Sequence, residues 1–401
     1  MGNSIINKVF TTRQQVTNLS KEEAEIRIII KYWIRKSNIK LGWIQEFDKF
    51  IANYAAKLLM IDTFCLSSKL LKTLTGHKPA VMSIDYSTFD NNELLCSGSE
   101  NGIVCVWNIE NNKQIESFHR HSDYTYVKFS QYHYHNNNRI VICSSSWDNT
   151  IIFWDVKDNQ QLQILNERTG NIEFSSFSGG RYLCSASGEN IRLWDVETYK
   201  SSHVFNGHKG NVDCVNISPL QSNNNNNIGV IGGNGYTICS GSYDTTIRMW
   251  DIETNKQFMI FDGHRFSVKS VKYGSNELVN TILSGSDDNS IRLWDIRSGR
   301  QIQIFNKHLN VVSVVEYSPF MVNNDEINCY SNVICSGSWD NTIRFWDIRS
   351  NKNQLHMITG DTEDVGIFCL KFVLLKKKDN NAQTRLKLYF GSYGGNIRVW
   401  G

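Results

Sequence analysis

A thirteen-residue string returns along this chain almost unchanged: CSSSWDNTIIFWD ends at Asp155, CSGSYDTTIRMWD at Asp251, LSGSDDNSIRLWD at Asp295 and CSGSWDNTIRFWD at Asp347. Looser copies end at Trp107, Trp194 and Trp400, which makes seven. Self-similarity at a period of about forty residues specifies a repeat architecture, in which each unit is one supersecondary element that cannot bury its faces alone. No other feature of the sequence limits the fold as much.

The fourth repeat reads as follows. Val212 to Ile217 alternates apolar and polar residues, as a half-buried strand does. Thr237 to Ser240 is a second strand, Tyr243 to Thr246 a tight turn, Ile247 to Trp250 a third strand and Gln257 to Phe261 a fourth. Gly263-His264 then opens the next repeat. Four antiparallel strands make one sheet, neighbouring sheets must stack, and a ring removes the exposed ends of the stack. The last repeat stops at Trp400 after its third strand, and a strand at residues 69–74 precedes Gly76-His77 with no earlier repeat to join. The pattern predicts that these two pair and complete the seventh sheet, since a free edge invites aggregation.

Composition narrows the function classes. A formal charge of +3 over 401 residues gives no sign of a nucleic-acid surface, which shows as clustered basic excess. Of ten cysteines, Cys96, Cys143, Cys184, Cys239 and Cys335 share one repeat position just before the Ser-x-Ser, each in a different repeat. They read as small buried hydrophobes rather than disulfide partners. There is no CxxC or CxxH pair to suggest zinc. Reduced thiols and a polar N-terminus without an apolar core segment predict a cytoplasmic or nuclear protein. No apolar run is long enough to span a membrane. Met1-Gly2 invites N-myristoylation, but Ile6 stands where that motif needs Ser or Thr.

The recurring string, its Gly-His openers and the sevenfold count resemble the WD40-repeat family over residues 68–401, roughly four-fifths of the chain. The resemblance implies an all-β, seven-bladed propeller with a short α-helical extension before it. It also implies one buried hydrogen-bonded set in each of four repeats: His121, Ser144, Asp148 and Trp154; His208, Ser240, Asp244 and Trp250; His264, Ser284, Asp288 and Trp294; His308, Ser336, Asp340 and Trp346. Ser, His and Asp together suggest nucleophilic catalysis, but a catalytic set occurs once and meets solvent, whereas this one recurs. The first repeat has Asn101 at the Asp position, the third has Arg168 where His belongs, and the seventh has Asp361, Phe390 and Gly394 for His, Ser and Asp. Blades 3 and 7 are therefore the expected soft ones.

By the same resemblance, partners bind the face carrying the Gly-His turns. The third and fifth residues after each His and the residue before each turn Asp point there, which selects Tyr124, Tyr126, Trp147, Tyr243, Trp339 and Tyr393 with the charged Asp213, Lys269 and Asp287. Repeat 2 is one residue short between His121 and Phe129, which unsettles the placing of Tyr126. Polar inserts at Tyr132–Arg139, Gln221–Gly235, Val322–Ser331 and Lys376–Gln383 read as mobile loops on the opposite face.

Residues 1–19 read as a flexible N-terminus and residues 20–66 as a helical hairpin. Ser20 and Glu23 form a capping box, Ile26, Ile29, Ile30, Trp33 and Ile34 share one helical face, and a second stripe runs from Trp43 to Leu58. Such stripes pack on the propeller, self-associate or dock a partner. No residue set looks catalytic, and no cofactor or metal is implied. The leading expectation is a non-enzymatic scaffold or adaptor binding proteins or peptides on its aromatic face. Arg297 and Arg349, which follow Trp-Asp-Ile, resemble the WD-x-Arg box of substrate receptors in cullin-based ubiquitin ligases. A G-protein β-like subunit is the third reading, weakened by the absence of sustained heptads before the propeller.

Overall fold

Each repeat folds into one four-stranded antiparallel sheet, and seven such sheets form. The fourth is Val212–Ile217, Thr237–Ser242, Ile247–Asp251 and Lys256–Phe261, paired in that order. The computed structural model describes residues 64, 69–90, 92–218, 236–274, 278–319, 322–324, 327–329, 333–349, 354–375 and 385–401. The chain divides into two units, residues 68–319 with 332–401 and residues 1–67 with 320–331. The first unit is an all-β, seven-bladed propeller.

Blades stack because the apolar face of one strand set cannot be covered within its own blade. Cys239, Ile247, Met249 and Phe261 of blade 4 share a core with Val268, Val271, Ile282 and Trp294 of blade 5. The approach is close enough to require glycine in the second strand. A Cβ on Gly241 would lie 2.6 Å from Val268 Cγ1. The described cysteines are free and buried, in keeping with their reading as hydrophobes.

The strand Leu70–Thr75 pairs antiparallel with Asn396–Trp400, Leu74 opposite Ile397 and Thr73 opposite Arg398. The seventh blade thus combines both ends of the propeller sequence. Leu74, Tyr389, Ile397 and Val399 then share a core with Val81, Leu95 and Trp107 of blade 1. At its centre blade 7 has an ion pair instead of the Ser-His-Asp set. Buried Arg398 donates from Nε to Asp364 Oδ1 at 3.0 Å and from Nη1 to Thr73 Oγ1 at 2.9 Å. The closing strand is therefore tied to the blade by a charged hydrogen bond as well as by its ladder.

Facing the central channel, every first strand places one polar side chain at the same register position. Asp85 stands opposite Cys96, Lys128 opposite Cys143, Glu173 opposite Cys184, Asn216 opposite Cys239, Lys272 opposite Leu283, Glu316 opposite Cys335 and Lys371 opposite Tyr389. Round the propeller the charges alternate: negative, positive, negative, neutral, positive, negative, positive. Lys128 reaches Glu173 at 2.9 Å, Lys272 reaches Glu316 at 2.7 Å, and Lys371 reaches Asp85 at 3.0 Å across the closing junction. A ring of seven cannot alternate in sign throughout, and uncharged Asn216 takes the position where two like charges would otherwise meet. Its Oδ1 accepts from Tyr273 N at 3.0 Å, as Asp85 Oδ2 does from Phe129 N.

Two of the inserts are ordered, against expectation. Residues Gln131–Asn137 form a short helix closed by Asn138 in the left-handed region. Buried His133 bonds Ser130 Oγ at 2.8 Å and the hydroxyl of Tyr199 in blade 3 at 2.9 Å, and Tyr134 packs edge-on to Phe89 of blade 1 at 4.8 Å. Aromatic and imidazole groups among the asparagines give this segment the anchors that an all-Asn run lacks. In the second unit, Val322–Asn324 pairs antiparallel with Ile327–Cys329. The inserts at 221–235 and 376–383 lie outside the described residues, as do residues 1–19 and, Phe64 excepted, the helical hairpin expected over 20–66.

Deleting residues 69–75 removes the closing strand and exposes the edge of blade 7, and Tm is expected to fall by about 5 °C or more in a thermal melt. An unchanged Tm would mean that the blade holds without its fourth strand. In the charged belt, a double-mutant cycle on Lys272 and Glu316 with Met and Gln is expected to give a coupling of about 1–2 kcal/mol by denaturant unfolding, because both side chains are mostly buried. Lys272→Glu, which puts like charges side by side, should cost more than Lys272→Met.

Candidate functional site

The turn after each second strand and the linker into each first strand meet at one end of the propeller, and a buried hydrogen-bond chain locks them together. In blade 4 the Trp250 indole donates to Ser240 Oγ at 2.8 Å, Ser240 and His208 Nε2 are 2.8 Å apart, and His208 Nδ1 lies 2.9 Å from Asp244 Oδ2. The carboxylate accepts a hydrogen bond from Nδ1–H, so Nε2 is the acceptor for the serine hydroxyl. Asp244 also accepts from Lys209 N and from the Thr246 hydroxyl, and so pins both chain segments.

The same chain recurs in three other blades. Trp154, Ser144, His121 and Asp148 form it in blade 2; Trp294, Ser284, His264 and Asp288 in blade 5; Trp346, Ser336, His308 and Asp340 in blade 6. Burial would raise the Asp244 carboxyl, but the hydrogen bonds it accepts from Thr246, Lys209 N and His208 hold it well below the usual range. Burial lowers the His208 pKa against the pull of Asp244, so the imidazole is held neutral. These groups are closed off by their neighbours, and their chemistry is structural.

Blade 3 solves the problem differently from expectation. Arg168 does not take the place of histidine and is exposed. The carboxylate of Glu167 accepts from Ser187 and pairs with Arg192 Nε at 2.9 Å, while the Trp194 indole still donates to Ser185 at 3.0 Å.

With its turns fixed, this end of the propeller holds a central cup of about 620 Å³. Tyr124 and Trp147 lean on each other with ring centroids 4.7 Å apart. Trp339, Phe368 and Tyr393 make a second run, at 5.2 Å and 5.9 Å. Trp339 is 41 % exposed, Tyr243 47 % and Tyr393 52 %, high values for residues of this size on a folded surface. Between Tyr243 and blade 5, Lys269 Nζ sits 4.2 Å from the Tyr243 ring centroid, 2.7 Å from Asp213 and 3.5 Å from Asp287. Burial raises the Asp213 carboxyl, with Lys269 pulling the other way. Asp287 does not line the cup itself and acts through Lys269.

Tyr126 lines the cup from a different register than Asp213 and Lys269. Blades 4 and 5 bulge between Val212 and Cys214 and between Val268 and Ser270, which frees Asp213 and Lys269. Blade 2 has no bulge, and Tyr126 pairs directly with Ser145. The missing residue before Phe129 is the bulge residue.

Glu100 and Phe368 also line the cup, outside the residues expected from the sequence. Glu100 holds the pre-Asp turn position of blade 1, where Trp147 and Trp339 stand in their blades, and accepts from the Tyr124 hydroxyl at 3.1 Å. The repeat alignment places it there once Asn101 is read as the turn residue. Phe368 holds the bulge position of blade 7, but the linker between Asp361 and Ile367 is two residues longer than in blade 6, between His308 and Val312. That insertion hides Phe368 from a fixed-offset reading.

Arg297 and Arg349 lie in the turns after the third strands of blades 5 and 6, exposed, at the opposite end of these antiparallel blades from the cup. Their backbone amides donate to Asp295 and Asp347. Among the described residues no group of three His, Cys, Asp or Glu side chains is placed to hold a metal, and no helix is long and apolar enough to cross a membrane.

The family description "WD domain, G-beta repeat" matches residues 68–108, 112–155, 199–251, 255–295 and 299–347. The chain belongs to the WD40-repeat family. The matches omit residues 156–198 and 348–401, where the WD40 polar set is replaced by the Glu167 and Arg398 arrangements. Among relatives, CCR4-associated factor 4 homolog of Vanderwaltozyma polyspora is 26% identical over 50% of this chain and 31% of the relative. Guanine nucleotide-binding protein subunit beta of Zea mays is 26% identical over 50% of this chain and 52% of its own length. Cell division control protein 4 of Saccharomyces cerevisiae is 26% identical over 47% of this chain and 24% of its own. The matched region thus spans about half or less of each relative.

Blade 1 of this WD40 propeller carries a pH dependence of its own. His77 bonds Ser97 at 2.7 Å, but Asn101 replaces the carboxylate that partners histidine elsewhere. Burial, aided by nearby His119, pushes the His77 pKa from 6.5 down to about 4. In the unfolded chain the ordinary value returns, so between the two values the unfolded state binds the extra proton. The stabilising contribution is present above the unfolded value and is lost as pH falls through about 4. Asn101→Asp supplies the missing counter-charge and raises the folded pKa. The loss of Tm between neutral and mildly acid pH is expected to be smaller in this variant than in the parent chain; an equal loss would clear His77 of a role.

Proposed function

We propose that this protein is a non-catalytic scaffold or adaptor that captures partner proteins or peptides in the aromatic cup of its propeller. The observation that carries the reading is the pair of aromatic runs, Tyr124–Trp147 and Trp339–Phe368–Tyr393, half-exposed around one concave basin. Large rigid side chains that remain in water in the isolated chain are the usual anchors of protein interfaces, since they bury much area for little lost entropy. WD40 membership supports a protein-interaction role in general. The Ser-His-Asp sets give no enzymatic alternative, because each serine hydroxyl is buried and engaged on both sides. The cytoplasm, with the nucleus as a second compartment, suits a chain whose described thiols are all free.

A second reading concerns the other end of the propeller. Exposed Arg297 and Arg349 in adjacent blades, each following Trp-Asp-Ile, suit docking to a cullin adaptor. Arg297→Ala with Arg349→Ala would then lose the adaptor while keeping partners held in the cup. The G-protein β-like reading draws on the maize relative, and the helices it would use lie outside the described residues.

The principal test compares the native chain with the Trp147→Ala, Trp339→Ala double variant by affinity purification and mass spectrometry. Proteins retained by the native chain are expected to be lost from the variant, with Tm within about 3 °C of the parent because both side chains sit at the rim. Full retention by a folded double variant would refute the assignment of the face.

A further inference from the structure

The polar groups of the cup are unevenly satisfied, and the imbalance has one sign. Lys269, the cation at the upper level of the cup, is consumed internally by Asp213, Asp287 and the ring of Tyr243. Counting Glu100, this level holds three carboxylates against one ammonium. The belt beneath adds no net charge, since Asp85, Glu173 and Glu316 are matched by Lys128, Lys272 and Lys371. Glu100 is half-buried, accepts one hydrogen bond, from the Tyr124 hydroxyl, and has no lysine or arginine within ion-pair distance among the described residues. On the wall of blade 3, Asn171 Oδ1 is buried without a donor. The unmet demand of the basin is thus for hydrogen-bond donors and positive charge.

The rings around Glu100 fit the same ligand. Tyr124 and Trp147 stand on one side, and Tyr393 holds the equivalent turn position in the neighbouring blade 7. Among the described residues, none of these three rings has a cation over its face. Tyr243, in the same basin, already carries one at 4.2 Å. Aromatic faces attract ammonium and guanidinium groups, more strongly when the site is shielded from water. A phosphorylated or acidic segment would instead add negative charge to an acidic basin. A purely apolar one would desolvate Glu100 without a partner, at a cost that specific sites avoid.

We infer that the cup takes a basic side chain of its partner protein, an arginine or lysine carried on an extended segment, with Glu100 as its counter-charge and Tyr124, Trp147 and Tyr393 as the rings around it. The inference rests on the reading of this face as the site of protein capture and adds the chemistry of what enters it. Blade 3 has the lowest side-chain cover at its turn, Gly188 standing where Trp147 and Trp339 stand in blades 2 and 6. Its turn is one residue short, and a Cβ on Gly188 would meet nothing within 4 Å.

The test uses the full chain and fluorescein-labelled hexapeptides of one apolar flanking sequence, with arginine, lysine, norleucine or phosphoserine at the centre, read by fluorescence anisotropy. The arginine and lysine peptides are expected to bind at least tenfold tighter than the norleucine peptide, to weaken as salt rises, and to leave the phosphoserine peptide unbound. Glu100→Gln keeps an acceptor for Tyr124 while removing the charge. It is expected to cost the basic peptides tenfold or more, with an unchanged Tm and no loss for norleucine. Binding of the norleucine or phosphoserine peptide as tight as that of the basic ones would overturn the inference. So would basic-peptide affinity unmoved by Glu100→Gln, or failure of every peptide to bind. The outcomes also separate this inference from the one it rests on. Partners lost with Trp147→Ala and Trp339→Ala but retained by Glu100→Gln would sink the cationic ligand alone. Partners retained by both the double variant and Glu100→Gln would remove the face itself.

Discussion

The chain of hydrogen bonds from tryptophan through serine and histidine to aspartate is the interaction on which the rest of the propeller depends. It joins the linker of a repeat to its sheet and turn: His208 and Asp244 are 36 residues apart in sequence yet 2.9 Å apart in space. Every buried heteroatom in it has a partner, and this is the condition under which a polar network in a low-dielectric interior rigidifies a fold. Its terminal carboxylate also receives the Lys209 amide and the Thr246 hydroxyl, so linker and turn are fixed relative to each other. Tyr243, which adjoins Asp244, is presented to the cup by that fixation. Structure and binding surface are therefore consecutive residues of one device.

The blades that abandon this chain explain why it can be abandoned. Blade 7 must accept its outer strand from the opposite end of the repeat region, and its tie is the Arg398 bridge between Asp364 and Thr73. The guanidinium donates to an acid of the linker on one side and to a hydroxyl of the closing strand on the other, so one side chain couples that strand to the blade. Blade 3 uses Glu167 from the linker to reach both Ser187 and Arg192. In each case the requirement is the same, a charged or polar anchor between linker and sheet, and different residues meet it.

Much of this was legible in the sequence, and the reasons are physical. The strands of blade 4 and the recurrence of the same residues in four repeats follow from a strict repeat, because equal spacing places equal residues in equal environments. The bonding within each set and the aromatic turn positions come through the WD40 resemblance. Phe368 escaped because two extra residues in the blade 7 linker break the spacing while leaving the bulge position intact. Tyr126 was ambiguous because a β-bulge present in other blades is absent from blade 2, a difference of backbone geometry that no side chain announces. The helix at Gln131–Asn137 reads as a mobile loop in sequence because the insert is wholly polar or aromatic and carries the Asn run 136–138. Its anchor, His133, is held by Ser130 and by Tyr199 of another repeat. Glu100 stands at the same pre-turn position, next to Asn101, but is a carboxylate where the expected binding face is chosen mainly by its aromatics.

The charged belt shows how a repeat protein escapes the symmetry of its own sequence. Identical blades would put identical side chains round the channel, and seven like charges at one level would repel one another in a partly desolvated space. Alternation solves this for an even ring, but seven positions leave one neighbour pair without an assignment. The neutral amide of Asn216 fills that place and still makes the hydrogen bond to the next blade that Asp85 makes. The belt then cancels itself, and the potential of the cup above it is set by the few residues that do not: Glu100, Asp213 and Asp287 against Lys269. The repeat supplies the architecture, and its departures at these positions give the cup an acidic character that the self-cancelling belt beneath it lacks.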